Sequence, residues 1–533
     1  MFDILLVGSG VLWTVTYLLI IRRGFLDHTY GMPLVALCAN LSWEFSECDS
    51  SAVHHALLRC ALIKYIGTIT LGKGNMNDMQ TQRVTAKPNI VFILADDMRK
   101  DDTRYMPKTR SLLRERGMGF RNAFVSHPLC APSRATIMRG QYSHNTGVWS
   151  NSSSDSSSTS IGGWEAYQHN GNENDNVATR LQNAGYSTGF FGKYLNGYTN
   201  TTFIPRGWDR WFAPFSSGDL HYFDYDVNDQ GTIRHFGTKD SDYKTDVLSR
   251  KTNAFISDSA ARSTPFFAYV APTAPHDPAT PAPRDAHTHD GVNGPRLPSF
   301  NEADVSDKPS WIRRLPKLTA DQIAAIDKRH EKRIESLQAV DDLVEGVVNT
   351  LNEANVMDDT YIFFTSDNGF HHGEHRVAKQ KWRPYEEDVH MPLVVRGPGI
   401  AAGSTTYKLV LNTDYLPTFT DLAGIRRPPY VDGRSLRPVL EGNVTTWRSA
   451  VLLEAAAHYS PPYRSIRTIS TGDISKSKYV EYVDGARELY HLDSDPHELT
   501  NSYNPTSPPE ALAARLEALK SCAADTCRAA ENG

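Results

Sequence analysis

Two short apolar runs, each ending in a pair of oxygen-bearing side chains, constrain this chain more than any other feature. Ile90 to Leu94 is continuous and apolar and gives way to Asp96-Asp97, and Tyr361 to Phe364 likewise gives way to Asp367-Asn368. Apolar runs without alternation are expected of strands buried on both faces. In open α/β sheets ligands gather beyond the carboxyl ends of the strands. Two neighbouring strands would thus deliver Asp96, Asp97, Asp367 and Asn368 to one place. Phe266 to Val270 leads in the same way to His276. Helical patterns lie between these runs: in Ile323 to Leu351 the residues Leu337, Val340, Leu343, Val344 and Val347 recur at helical spacing. Alternating strands and helices predict a layered α/β domain.

At 533 residues the chain has room for more than one layered core. Hydrophobic residues are 40% and charged residues 22%, as in ordinary globular proteins, and the net charge of −5 gives no reason to expect nucleic acid as a partner. Six cysteines are too few to be the main scaffold. Cys38, Cys48 and Cys60 precede the α/β region, while Cys522 and Cys527 are close enough for a local bridge in an oxidising compartment or can remain free thiols. Asn151, Asn200 and Asn443 begin glycosylation acceptor patterns.

Cys130 opens the run Cys130-Ala131-Pro132-Ser133-Arg134. Proline two residues after the cysteine fits the first turn of a helix, where no backbone N–H is needed. Cys130 then stands at a helix N-terminus, where free N–H groups and the dipole attract an anion. Arg134 follows one turn later as a fixed cation. A small buried core cysteine is the plain alternative. The four oxygen residues suit a hard cation such as Ca²⁺. A bare Asp-Asp pair could equally be a strand-end turn, and the matching Asp-Asn at a second strand end favours the metal.

From about residue 86 to the C-terminus the chain resembles the type I sulfatases, most of all the N-acetylglucosamine-6-sulfatase and fungal arylsulfatase branch. The resemblance is carried by Lys87 to Asp97, the Cys130 segment through Gly147, Gly192-Lys193-Tyr194-Leu195-Asn196, Ala274-Pro275-His276 and Thr365-Ser366-Asp367-Asn368-Gly369. It implies an alkaline-phosphatase-like α/β fold, a large mixed sheet flanked by helices, with a smaller C-terminal antiparallel α+β subdomain. The expected division is a catalytic domain over 87–427 and a C-terminal subdomain over 428–533. In the latter, Lys478 to Val483, Asp484-Gly485 and Glu488 to Leu492 predict a hairpin, and Ala511 to Leu519 a helix.

The resemblance also implies the chemistry. Cys-x-Pro-Ser-Arg is the sulfatase pattern that directs oxidation of the cysteine to formylglycine (3-oxoalanine), the work of the formylglycine-generating enzyme. Hydrated formylglycine at 130 would attack sulfur through one hydroxyl and expel the alcohol. The second hydroxyl would then release sulfate and restore the aldehyde. One Ca²⁺ would be held by Asp96, Asp97, Asp367 and Asn368 and would touch residue 130. Arg134 would hold that shell, Lys193 and Lys381 would grip sulfate oxygens, and His276 would bind sulfate or protonate the leaving group. Taken alone, Lys193 and Lys381 read as solvated cations, and His276 reads equally as a turn residue or a functional group. The family spacing of Lys381 before Tyr385-Glu386 supports its role. Many sulfatases have Lys-Trp-His where this chain has Lys193-Tyr194-Leu195, which leaves the general acid open, with Asn196 as a substitute polar contact. The substrate is a sulfated small molecule or carbohydrate, aryl or sugar. Its selection is expected in residues 152–175, 205–240 and the irregular stretch 276–312.

The first 71 residues differ in character. Ile4 to Ile21, Met32 to Phe45 and Val53 to Leu71 are apolar stretches, the last interrupted by Arg59 and Lys64. The first is at the lower length limit for a membrane span, and Arg22-Arg23 would hold its far side in the cytosol. A second span through Met32 would return the catalytic region to the lumen. The expectation is a secretory-pathway protein, extracellular or lumenal, with membrane contact through residues 4–45. Trp13 to Phe45, notably Tyr17 to Phe25 and Tyr30-Gly31-Met32-Pro33, resembles the start of fungal multi-span terpene cyclases, and residues 72–86 read as a linker. Two rival readings follow: a phosphatase or phosphonate monoester hydrolase on the same scaffold, and a terpene cyclase fragment joined to an inactive sulfatase.

Overall fold

The run around Ile90 is a strand, and both of its faces are covered. β1 (Asn89–Ala95) is buried along its whole length. Ile90, Phe92 and Leu94 point into one core layer and Val91 and Ile93 into another. That alternation is the pleat of a central strand, and it explains why the sequence shows no polar alternation. A fully buried Phe or Ile contributes about 1.5–3 kcal/mol. The computed structural model describes residues 87–533 other than 153–160, 200–201, 459 and 471–474. The apolar stretches, the linker 72–86, Cys38, Cys48, Cys60 and Asn200 lie outside the described residues. Among the described residues no helix is long and apolar enough to cross a membrane.

The other strands of the main sheet are β2 (Met118–Phe124), β3 (Ser187–Gly192), β4 (Arg210–Pro214), β5 (Tyr225–Asp229), β6 (Thr232–Phe236), β7 (Phe266–Ala271), β8 (Thr360–Ser366), β9 (His390–Met391), β10 (Leu393–Arg396) and β11 (Ser404–Leu411). Their order is β11-β2-β10-β8-β1-β7-β3-β4-β5-β6, with β9 beside β2. β1 runs parallel to both β7 and β8, whereas β10 is antiparallel to β8 and to β2, so the sheet is mixed. The register sets Ala95 against Ser366 and Ile93 against Val270. Both Asp-rich strand ends therefore leave the sheet side by side, and the turn carrying His276 follows on the other side of β1.

Four helices fix the two faces. α1 (Cys130–Arg139) and α4 (Tyr415–Leu422) pack on the Ile90 face, α2 (Lys244–Ala261) and α3 (Ala320–Glu353) on the Val91 face. α3 begins with a capping box, Thr319 accepting from the Gln322 N–H and Gln322 reaching back to Thr319. α1 ends at Gly140, whose φ of 64° and nearness to the Val431 side chain leave no place for a Cβ. Residues 272–318 form turns and coil with one short helix, Ser310–Arg313.

The smaller sheet is antiparallel, in the order β12 (Ala450–Ala455), β13 (Tyr463–Thr468), β14 (Ser477–Tyr482) and β15 (Arg487–His491). Asp484-Gly485 turns between the last two, Gly485 at φ 91° and the Asp484 carboxylate accepting from the Ala486 N–H. α5 (Glu510–Lys520) lays Leu516 and Leu519 on this sheet, α6 (Asp525–Asn532) follows, and a disulfide joins Cys522 to Cys527. Glu531 ties this part to the main sheet's layer. It accepts from the Tyr142 hydroxyl at 2.6 Å and pairs with Arg448 at 3.2 Å.

Candidate active site

Asp96, Asp97, Cys130, Arg134, Lys193, His276, Asp367, Asn368 and Lys381 meet beyond the carboxyl ends of β1, β3, β7 and β8. Asp96 and Asp97 leave β1 directly, and the Asp97 N–H donates to Asp367 Oδ1 at 3.0 Å. Asp97 holds φ 65°, a conformation that costs a non-glycine residue energy and that functional sites retain when the surroundings impose it. Here three groups impose it. Asn368 Nδ2 donates to Asp97 Oδ1 at 2.7 Å, Lys381 Nζ donates to the same oxygen, and the Arg333 guanidinium donates to the Asp97 carbonyl.

Cys130 is the first residue of α1 and is buried. Leu129, the capping position, has no side chain to offer. Asn151 Oδ1 instead accepts from the Ala131 N–H at 2.9 Å. Cys130 Sγ lies 2.8 Å from Lys381 Nζ, 3.6 Å from Lys193 Nζ, 3.5 Å from Asp96 Oδ1 and 3.8 Å from Asp97 Oδ1. Burial pushes the thiol up from its ordinary range, against the pull of the two lysines. Arg134, one turn along, donates through Nε to Asp367 Oδ2 at 2.9 Å and through Nη1 to the Lys193 carbonyl at 2.6 Å. Lys193 Nζ donates to Asp96 Oδ2 at 2.6 Å. It follows Gly192, whose close approach to the Ala271 carbonyl excludes a Cβ, so β3 can deliver Lys193 only behind a glycine. His276 keeps Nδ1 on the Asp277 carbonyl at 2.7 Å and presents Nε2 to Asp97 Oδ2 at 3.6 Å, at the most exposed corner of the group. Burial lowers its basicity, and the Asp97 carboxylate opposes that effect.

The electrostatics balance within the group. Lys193, Lys381 and Arg134 stand against Asp96, Asp97 and Asp367, all of them buried. Asp367 is held up at about 6, first by burial and then by the Asp96 carboxylate. A hard cation fits this donor set on two counts. The carboxylates and Asn368 supply only oxygen, and Asn368 Oδ1 is buried without a hydrogen-bond partner. Asp96, Asp97, Cys130 and His276 each place a ligand atom within 4.8 Å of the others.

Three contributors were not legible from sequence. Arg333 reads as one charge among Lys332 and Glu331 on a long helix, yet it is buried, donates to the Asp97 and Pro275 carbonyls and lies 4.5 Å over the Phe370 ring. Lys244 is buried beneath the Lys193 side of the site and donates to the Gly218 and Asp219 carbonyls. In the sequence Asn151 shows only as a glycosylation acceptor. Its cap on α1 needs a loop whose fold the sequence does not announce. Asn196, expected as a polar contact of the site, donates none there, and its Oδ1 is buried without a partner. Tyr194 beside it packs among Phe190 and Trp211. Of the other acceptor asparagines, Asn443 is exposed.

The family model described as sulfatase matches residues 88–425. The chain belongs to the sulfatase family. Sulfuric ester hydrolysis is the reaction that membership assigns. A second model, N-sulphoglucosamine sulphohydrolase C-terminal, matches residues 373–522, and one for Pyr4-like transmembrane terpene cyclases matches residues 1–61, outside the described residues. The human N-acetylglucosamine-6-sulfatase is 35% identical over 489 residues, which cover 83% of this chain and 86% of that protein. The Volvox carteri arylsulfatase is 32% identical over 83% of this chain and 76% of its own length. An extracellular sulfatase SULF-1 homolog of Drosophila melanogaster is 37% identical over 66% of this chain, which spans only 31% of that relative. A structure solved in complex with its substrate D-glucosamine-2-N,6-O-disulfate superposes with a TM-score of 0.70 at 24% identity, covering 84% of this chain and 99% of that one, and so shares the sulfatase fold.

Proposed function

We propose that the protein hydrolyses sulfate monoesters, aryl sulfates or sugar 6-O-sulfates, to an alcohol and inorganic sulfate, with residue 130 as the nucleophile in its formylglycine form. The observation that carries this reading is the seat of Cys130: at a helix N-terminus, between two buried lysines, against two buried carboxylates. A sulfate ester entering here meets cations from both sides. Lys193 and Lys381 neutralise the sulfate oxygens as charge builds on them. Arg134 keeps Asp367 and the Lys193 loop in register. His276, with Nδ1–H donating to the Asp277 carbonyl, holds Nε2 near Asp97 Oδ2 at the open corner, and in its imidazolium form, which Asp97 favours, Nε2–H can give a proton to the departing alcohol. Hydrated formylglycine supplies one hydroxyl to bond to sulfur and a second whose deprotonation releases sulfate and restores the aldehyde. Asp96, Asp97, Asp367 and Asn368 would hold one Ca²⁺, which supplies positive charge beside residue 130.

Maturation then needs a formylglycine-generating enzyme. The protein's place is the secretory pathway, extracellular or lumenal, a reading supported by the Cys522–Cys527 disulfide and by relatives named extracellular sulfatases. Its substrate class is supported by relatives named for N-acetylglucosamine 6-sulfate and aryl sulfate. The test is expression with the modifying enzyme, followed by rates on 4-nitrophenyl sulfate and 4-nitrophenyl phosphate and mass analysis of the Cys130 peptide. Sulfate turnover with an aldehyde at residue 130 is expected. Faster phosphate turnover with an unmodified thiol would assign the scaffold to phosphoryl transfer instead.

A further inference from the structure

A cleft of about 650 Å³ opens beside β2 and β10, and none of the residues of the catalytic centre lines it. One wall is the segment 99–114, which sends Met106 and Leu113 into the core on the α3 side of the sheet, whereas α1 packs into the other side. The cleft is therefore a separate feature, within the size range of small-ligand sites.

Its charge is unbalanced. Lys100, Arg104, Arg114 and Arg121 line it, and among the described residues none of the four has a carboxylate partner. Lys100 Nζ donates to the Arg121 carbonyl at 2.9 Å and faces His390 Nε2 at 2.6 Å. Arg114 donates to the Ser404 carbonyl at 3.0 Å, and the Arg104 guanidinium lies 4.7 Å over the Tyr105 ring. The acids that share the lining are already engaged. Asp101 pairs with Arg99 at 3.0 Å, and Glu386 pairs with Lys478 at 3.0 Å and Arg467 at 3.4 Å. Glu387 is held up at about 8 by burial and then by Glu374, so it is protonated at neutral pH.

We propose that this cleft is an anion-binding exosite that docks a sulfated polysaccharide chain on the enzyme, apart from the centre that cleaves the ester. The protein as a whole carries a net charge of −5, so this concentration of cations is local rather than a share of a basic surface. Three of the four are arginines, whose planar guanidinium takes a sulfate or carboxylate through two parallel hydrogen bonds. A glycan bearing several such groups would hold the cleft while another of its sulfates is available for hydrolysis. This rests on the proposed sulfatase reading for the identity of the polyanion.

The test uses the full chain, with heparin as the probe in a fluorescence titration at fixed salt, and 4-nitrophenyl sulfate as the small substrate. Arg104→Glu/Arg121→Glu reverses two exposed charges. It should weaken heparin binding by about tenfold or more and leave 4-nitrophenyl sulfate turnover unchanged. Arg104→Ala/Arg121→Ala should give a smaller loss in the same direction. Heparin affinity unchanged in both variants overturns the exosite. So does equal competition by duplex DNA of matched charge, which would make the cleft a general polyanion surface. A parent protein that binds heparin through the cleft but cleaves no sulfate ester would refute the sulfatase reading and leave the binding site standing.

Discussion

The candidate active site and the basic cleft are both built around Lys and Arg, and they handle charge in opposite ways. In the centre the three cations nearest the acidic cluster are buried and each meets a carboxylate: Lys193 with Asp96, Lys381 with Asp97, Arg134 with Asp367. Burying an unpaired ion costs several kcal/mol, so a dry cluster must be close to neutral before substrate arrives. In the cleft Arg104 and Arg121 are exposed and lack such partners among the described residues. Water screens them, so they can be left for a ligand at little cost to stability. Buried charges are held rigid by carboxylate or carbonyl partners, whereas the exposed arginines of the cleft keep their donors open to an anion.

The largest break would come from Cys130→Ala. Turnover of 4-nitrophenyl sulfate should fall at least about 10³-fold with the thermal transition nearly unchanged, whereas no single substitution in the cleft should touch this rate. Retained activity in Cys130→Ala would remove residue 130 from the reaction. Next is a direct contrast of two arginines. Arg134→Met leaves Asp367 buried without its partner and should cost about 3–5 kcal/mol in denaturant unfolding, while Arg121→Met should stay within about 0.5 kcal/mol. Equal effects from the two would mean that the buried and the exposed arginine are held alike.

Arg333→Met probes a smaller effect. The substitution keeps the apolar stem but removes the donors that hold the Asp97 and Pro275 carbonyls, so it should lower kcat by about ten- to a hundredfold through misplacement of Asp97 and His276. A change confined to KM would show that Arg333 does not position the reacting groups. The smallest effect is a pH dependence at the cleft floor. Glu387 has a folded pKa of about 8, above its unfolded value, so between the two the native state binds more protons and stability falls as pH rises. Glu387→Gln should flatten that fall between about pH 4.5 and 8. A parent whose stability rises across this window would refute the assignment.

The parts legible in the sequence were those in which local pattern and tertiary role coincide. The runs at Ile90 and Tyr361 could be read because a strand buried on both faces has no polar alternation to hide it. Their terminal Asp and Asn pairs then had only one place to go. The hairpin at Asp484-Gly485 is likewise decided within a few residues, and α3 by the helical spacing of Leu337, Val340, Leu343, Val344 and Val347. Arg333, Lys244 and Asn151 were not legible, because each acquires its role from a carbonyl or N–H far away in the chain. The cleft was hidden for the same reason: β2, β10 and the 99–114 segment supply its residues, and only the sheet order brings them together.

The tie between Glu531 and Tyr142 also has a meaning in time. These residues are 389 positions apart, and they close the layer that carries the helix of Cys130. Lys381, 2.8 Å from the sulfur, comes 251 residues after it. At the usual pace of about 5–20 residues per second, the ribosome needs roughly 20–80 seconds to deliver the last of these partners. Throughout that interval the thiol has no finished pocket to hide in. On the proposed formylglycine reading, the same long-range closure that buries the mature centre would leave residue 130 open to a modifying enzyme only until the chain is complete.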